Sequence, residues 1–71
     1  MRRATVDIGT NSVLLLIADV TPAGITRVHE RAEITRLGAG VDATRTLSPE
    51  AIARTLAVLR AYADDLRAHG V

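Results

Sequence analysis

The residues Asp7-Ile8-Gly9-Thr10-Asn11-Ser12 place a carboxylate directly ahead of a cluster of hydrogen-bond donors. Gly9 lets backbone N–H groups turn toward an anion without a Cβ in the way. Thr10 and Ser12 add hydroxyls and Asn11 adds an amide, all suited to phosphate oxygens. Asp7 cannot meet phosphate directly, because like charges repel, but it can hold a divalent cation or its bound water beside the phosphates. Charge neutralisation on one side and positioning on the other are what phosphoryl chemistry requires. The same residue types also build ordinary turns, and an aspartate at a strand end can simply bond the turn. Spacing alone leaves both readings open.

The elements that must position this loop are legible on either side of it. Ala4, Val6 and Ile8 alternate with Thr5 and Asp7, the period of a short strand over 3–8. Val13–Val20 is apolar almost throughout, which predicts a strand buried on both faces. Thr21-Pro22-Ala23-Gly24 reads as a turn, since proline presets φ and glycine accepts a positive one. Residues 25–36 read as a third strand, solvated on one face; Gly38-Ala39-Gly40 ends it, and Val41 to Leu47 reads as loop. A helix over 49–69 is announced by Ser48 as N-cap, Pro49 at the first helical position and Glu50 at the positive dipole end. Ile52, Leu56, Leu59, Ala63 and Leu66 form its apolar stripe, with Glu50–Arg54 and Arg60–Asp64 as i,i+4 pairs outside. Gly70 suits the position after the cap. His69 fits the cationic end of the helix and His29 a solvated strand position, neither with metal-ligand partners.

This is an α/β chain of three strands followed by one helix. One helix covers one face of such a sheet, whereas Val13–Val20 asks for cover on both, so the architecture reads as incomplete. The bulk properties narrow the function classes. Seventy-one residues allow one small domain. There is no cysteine, which fits a reducing cytoplasm and removes disulfides and thiolate metal sites. A net charge of +1, with basic and acidic residues interspersed, gives no footprint for nucleic acid or an anionic membrane. Arg2 and Arg3 precede an apolar stretch, but Asp7 and Thr10-Asn11-Ser12 break it, so it reads neither as a leader nor as a span.

The stretch "VDIGTNSVLLLIADV" resembles the phosphate-1 motif of the superfamily of actin-like ATPases, sugar kinases and heat-shock chaperones. Asn11-Ser12 after Asp-Ile-Gly-Thr resembles the exopolyphosphatase / guanosine pentaphosphate phosphohydrolase (Ppx/GppA) family in particular. The remainder, "ERAEITRLGAGVDATRTLSPEAIARTLAVLRAYADDLRAHGV", is similar to that family's third strand, its Arg-Leu-Gly-x-Gly loop and its first helix. The resemblance spans the whole chain but only the N-terminal end of the family, whose members run to several hundred residues. It implies part of a ribonuclease-H-like domain beside a cleft in which terminal phosphate is removed, with Mg²⁺, from inorganic polyphosphate or guanosine pentaphosphate. It also implies a cytoplasmic protein that is a homodimer at full length. On it, Gly9, Thr10, Asn11 and Ser12 match the phosphate-binding loop, Asp7 the metal-side carboxylate, and Arg36 a second contact to the polyanion. The chain departs from the family pattern at Leu14, where a basic residue is frequent, and at Ala39, where glutamate is usual. The family's catalytic glutamate and second glycine-rich loop fall beyond Val71, and Glu30, Glu33 and Glu50 do not match them. The resemblance therefore implies no catalytic residue here, and it leaves a phosphate-binding module without catalysis, or a fragment without function, as alternatives.

Overall fold

In a computed structural model describing residues 1–71, three strands form one antiparallel sheet in the order β1-β2-β3. They are β1 (Arg2–Ile8), β2 (Ser12–Thr21) and β3 (Gly24–Ile34), followed by a single-turn α1 (Val41–Thr44) and a long α2 (Pro49–Ala68). The β1–β2 register opposes Asp7 to Leu14 and Ile8 to Val13. Between Ile17 and Ala18 the β2–β3 register shifts, leaving Val28 as the extra residue of a bulge, where it packs against the core.

The α2 helix starts and stops where the sequence marks it. The Ser48 hydroxyl accepts the Ala51 N–H at 3.1 Å. At the other end Gly70, at φ 71°, donates to Arg67 O, and Val71 donates to Leu66 O, the paired bonds of a Schellman cap. His69 is the cap residue, so the helix closes at Ala68, one residue before the expected end.

The core is Val13, Leu15 and Ile17 of β2 under Tyr62 of α2, whose hydroxyl donates to Val13 O at 2.7 Å. Leu59 and Leu66 of the expected stripe pack against this core, but the first half of the helix is turned away from it. Ala51, Thr55 and Tyr62 are buried, whereas Ile52 and Leu56 are exposed. Nor do the expected outer pairs form: Arg54 reaches to backbone carbonyls beyond β3, and Asp64 pairs with Arg67. The β2 strand is buried mainly on its helix face; of the other face Ala18 is buried, but Leu14 and Val20, expected inside, are exposed because no second layer covers it. The outer edge of β1 is likewise unpaired. No helix is long and apolar enough to cross a membrane.

One end of α2 is tied to the sheet by charge. Asp65 accepts from Arg31 Nη1 at 2.9 Å and lies 3.1 Å from His29 Nε2, and the His29 ring stacks on His69 at 4.7 Å. So His29, expected at a solvated strand position, is engaged by α2. Arg31 first, and His29 second, hold the Asp65 carboxyl below its ordinary value of 3.8. A depressed carboxylate stabilises the fold fully above its unfolded value and loses that contribution as pH falls through the folded one. Thermal midpoints should therefore drop as the pH falls from about 4, where unfolded aspartate begins to take up protons. Asp65→Asn should start lower at neutral pH and fall less steeply; parallel profiles from circular dichroism would remove Asp65 from the acid transition.

Candidate functional site

The turn between β1 and β2 is the three-residue loop Gly9-Thr10-Asn11. Its first hydrogen bond runs from Gly9 N–H to Ser12 O at 2.9 Å, and a Cβ at Gly9 would stand 3.2 Å from that oxygen. Glycine serves here by leaving room rather than by its φ, which is not positive. Because the Gly9 N–H closes the turn, the donors left for a ligand lie further along the loop.

Both central carbonyls of the loop are occupied from behind. Asn11 O accepts the Thr35 N–H at 2.9 Å and the Arg36 N–H at 3.0 Å, and Thr10 O accepts the Gly38 N–H at 2.8 Å. These bonds staple the loop to the segment leaving β3. They also engage the negative ends of its peptide dipoles, while the Thr10 and Asn11 N–H groups donate to no backbone acceptor. Such free, adjacent N–H groups are the material of an anion site. The staple favours Gly38, where a Cβ would lie a tight 3.1 Å from Thr10 Cβ.

The expected third strand runs to 36, but β3 ends at Ile34. Arg36 adopts φ 51°, a left-handed conformation that side chains rarely take, and this turns the chain back over the loop. Two guanidinium contacts brace the turn: Arg54 Nε donates to Thr35 O at 2.9 Å and Arg54 Nη2 to Arg36 O at 3.4 Å. The segment expected to be loop then holds α1, entered through Gly40 at φ 78°.

Between the loop and this segment lies an open groove of about 680 Å³, within the usual range for small-molecule sites. Gly9, Thr10 and Asn11 line one wall; Arg36, Leu37, Gly38, Ala39 and Asp42 line the other. Four of the expected residues, Gly9, Thr10, Asn11 and Arg36, therefore meet in one recess. Asp7 and Ser12 do not line it. The register puts both side chains on the helix-free face of the sheet, beside the loop end. Asp7 is exposed and joins no ion pair. No group of three or more His, Cys, Asp or Glu side chains gathers anywhere. One free carboxylate beside a donor loop suits Mg²⁺, which keeps several waters and takes phosphate oxygens as ligands. Sequence reasoning missed Arg54, assigned to Glu50 by the helix rule, and Asp42, for which no motif gave a signal.

Several known proteins are similar to this chain, although no protein-family model matches it. Exopolyphosphatase 2 of Mycobacterium tuberculosis is 53% identical over 73 aligned residues, covering 96% of this chain and 23% of that protein. The bifunctional 3-dehydroquinate synthase/phosphatase of Fusobacterium nucleatum is 45% identical over 65 residues, covering 84% of this chain and 10% of that protein. A crystal structure of the Aquifex aeolicus Ppx/GppA phosphatase, the type II variant, superposes with a TM-score of 0.95 at 37% identity, over 100% of this chain and 24% of that one. A separate structure of the Aquifex aeolicus PPX-GPPA enzyme gives 0.91 at 38% identity, with the same coverage. The chain thus spans about a quarter of the length of exopolyphosphatase 2 and of the solved phosphatases.

Proposed function

This chain belongs to the Ppx/GppA exopolyphosphatase family, matching the N-terminal quarter of its full-length members, and we propose that its groove binds phosphoanhydride chains. In this reading Gly9, Thr10, Asn11 and Ser12 form the first phosphate-binding loop of a site that removes terminal phosphate from inorganic polyphosphate or guanosine pentaphosphate. The observation that carries it is the division of labour in the loop. The Thr10 and Asn11 carbonyls are engaged by residues 35–38, their N–H groups donate to no backbone acceptor, and Arg36 lines the same groove. That arrangement offers a terminal phosphate hydrogen bonds and positive charge, with the Thr10 and Asn11 carbonyls already engaged.

The roles follow from chemistry. Thr10 and Asn11 orient the phosphate through backbone and side-chain donors, and Arg36 takes a second pair of its oxygens in a fork. Asp7 would hold Mg²⁺, which supplies charge neutralisation to the anhydride oxygens when bound. Ser12, half-buried on the Asp7 face, would bond a water of that ion. The cysteine-free composition accords with a cytoplasmic setting.

Calorimetric titration with tripolyphosphate tests this. In Mg²⁺ the chain should bind, and Asn11→Ala and Arg36→Gln should each weaken binding about five-fold, the upper range for an exposed charged contact. Asp7→Ala should remove the Mg²⁺ dependence. Binding indifferent to all three variants, with helix content unchanged, would refute the site.

A further inference from the structure

We propose that Arg54 is a positioning residue for the β1–β2 loop: by occupying the Thr35 carbonyl it keeps the Asn11 N–H out of the sheet ladder and available to an anion. The consequence for binding rests on reading the groove as a phosphate site; the effect on the Asn11 N–H does not. The ladder stops half a pair short at the loop. β2 and β3 oppose Val13 to Glu33 and Ser12 to Ile34, so the next pair along is Asn11 with Thr35. Opposed residues of an antiparallel ladder alternate between pairs that exchange both N–H···O bonds and pairs that exchange none. Asn11 and Thr35 are of the exchanging kind, because the Thr35 N–H donates to Asn11 O at 2.9 Å. The reciprocal bond, from the Asn11 N–H to Thr35 O, does not form. Arg54 Nε stands in its place, donating to Thr35 O at 2.9 Å.

Thr35 is 1% exposed, so its carbonyl has little access to water and needs a protein donor. The register offers it the Asn11 N–H, and α2 offers it a guanidinium. The guanidinium is the stronger partner, since a charge-assisted hydrogen bond is roughly twice as strong as a neutral one. No carboxylate diverts it: Glu50, one turn earlier on α2, is not its ion-pair partner. Arg54 Nη2 also reaches Arg36 O at 3.4 Å, at the residue whose φ of 51° turns the chain back over the loop. Asn11 O meanwhile accepts both the Thr35 and the Arg36 N–H. The residue is thus held by its acceptor while its donor stays free. Without the guanidinium, the Thr35 carbonyl takes the Asn11 N–H, the ladder closes by one more bond, and the groove loses a donor. Arg54 acts through Thr35 and touches no ligand.

Amide hydrogen exchange followed by NMR on the 71-residue chain, with no ligand, tests this. In Arg54→Met, which keeps the length but has no donor, the Asn11 amide should exchange about five-fold more slowly, the protection of one net hydrogen bond. The Thr10 amide, which has no ladder acceptor, should not change. Arg54→Lys, which still brings an ammonium to Thr35 O, should leave Asn11 exchanging as in the wild type. The wild type alone gives a second reading: it should show no scalar coupling across a hydrogen bond between the Asn11 nitrogen and the Thr35 carbonyl carbon, and such a coupling overturns the proposal. Tripolyphosphate titrated calorimetrically in Mg²⁺ should bind Arg54→Met about five-fold more weakly and Arg54→Lys within about two-fold of the wild type. Asn11 exchange unchanged or faster in Arg54→Met overturns the proposal, as does a general loss of protection along β2 and β3, which makes Arg54 a packing residue of the turn. Slower Asn11 exchange with undiminished binding also overturns it and leaves the groove standing. If Asn11 slows but the wild type binds no tripolyphosphate, Arg54 does set the Asn11 N–H and it is the phosphate reading of the groove that fails.

Discussion

Tyr62→Ala should leave the chain largely unfolded at 25 °C. Tyr62 is the largest fully buried side chain, and it closes a core of only four buried residues. Truncating a buried aromatic to alanine costs about 3–5 kcal/mol. Here it also removes the hydroxyl's hydrogen bond to the Val13 carbonyl, 2.7 Å away, worth about 0.5–1.5 kcal/mol more. A domain of this length has roughly 4–10 kcal/mol in total, from about 0.05–0.15 kcal/mol per residue. An uncovered sheet face and an open β1 edge place it near the lower limit. Tyr62→Phe isolates the hydrogen bond. It should stay folded but melt lower by several degrees, at about 4–8 °C per kcal/mol. Arg31 lies over the ring at 5.2 Å and stacks on either aromatic, so that contact survives in the phenylalanine variant. Cooperative melting of Tyr62→Ala near the wild-type midpoint would show that the core lies elsewhere.

Tyr62 also marks where the sequence stops being informative. The ends of α2 are written in Ser48-Pro49 and Gly70, because capping is local chemistry between near neighbours. The strands follow from alternation around a polar loop. The face of α2 is set by something nonlocal, the reach of one phenol to a carbonyl on β2. Hydropathy ranks Ile52 and Leu56 above Ala51 and Thr55, yet the former pair is exposed and the latter buried. Arg54 follows the same logic. Its helical neighbour Glu50 is an obvious partner in sequence, but the carbonyls of Thr35 and Arg36 are closer in space.

The site divides along similar lines. The donor loop Gly9–Ser12 is visible as a polar interruption between apolar runs, and the groove confirms that Gly9, Thr10, Asn11 and Arg36 come together. The left-handed turn at Arg36 is not visible, because arginine has no preference for that conformation. The bonds from residues 35–38 to the loop impose it. Likewise α1 has too few residues for any periodicity, and it is held by Gly40 and by the Thr44 hydroxyl donating to Gly40 O.

Purified alone with Mg²⁺, these 71 residues should release no measurable phosphate from polyphosphate or guanosine pentaphosphate. Hydrolysis needs a base within hydrogen-bond reach of the attacking water, directly or through one more water. The carboxylates here are poorly placed for that. Glu30 shares the Asp7 face but lies two strands away, roughly 10 Å across the sheet, and pairs with Arg27. Glu33 is tied to Arg31, and Glu50 sits in the first turn of α2. Only Asp42 lines the groove, exposed at the start of a single helical turn. Lacking a positioned base costs about 10²–10⁴-fold in rate. A groove open to water forfeits a further factor of about 10²–10³ for each stabilising donor it fails to aim at the transferring group. Together these put turnover below detection while leaving binding intact. Phosphate release followed colorimetrically, beside tripolyphosphate binding on the same sample, separates the two. Turnover that disappears in Asp42→Asn, with binding retained, would identify Asp42 as a base and make this chain a catalyst in its own right. Turnover that disappears in Asp7→Ala but survives Asp42→Asn would put a base on the Asp7 face, with Glu30 the residue to replace next.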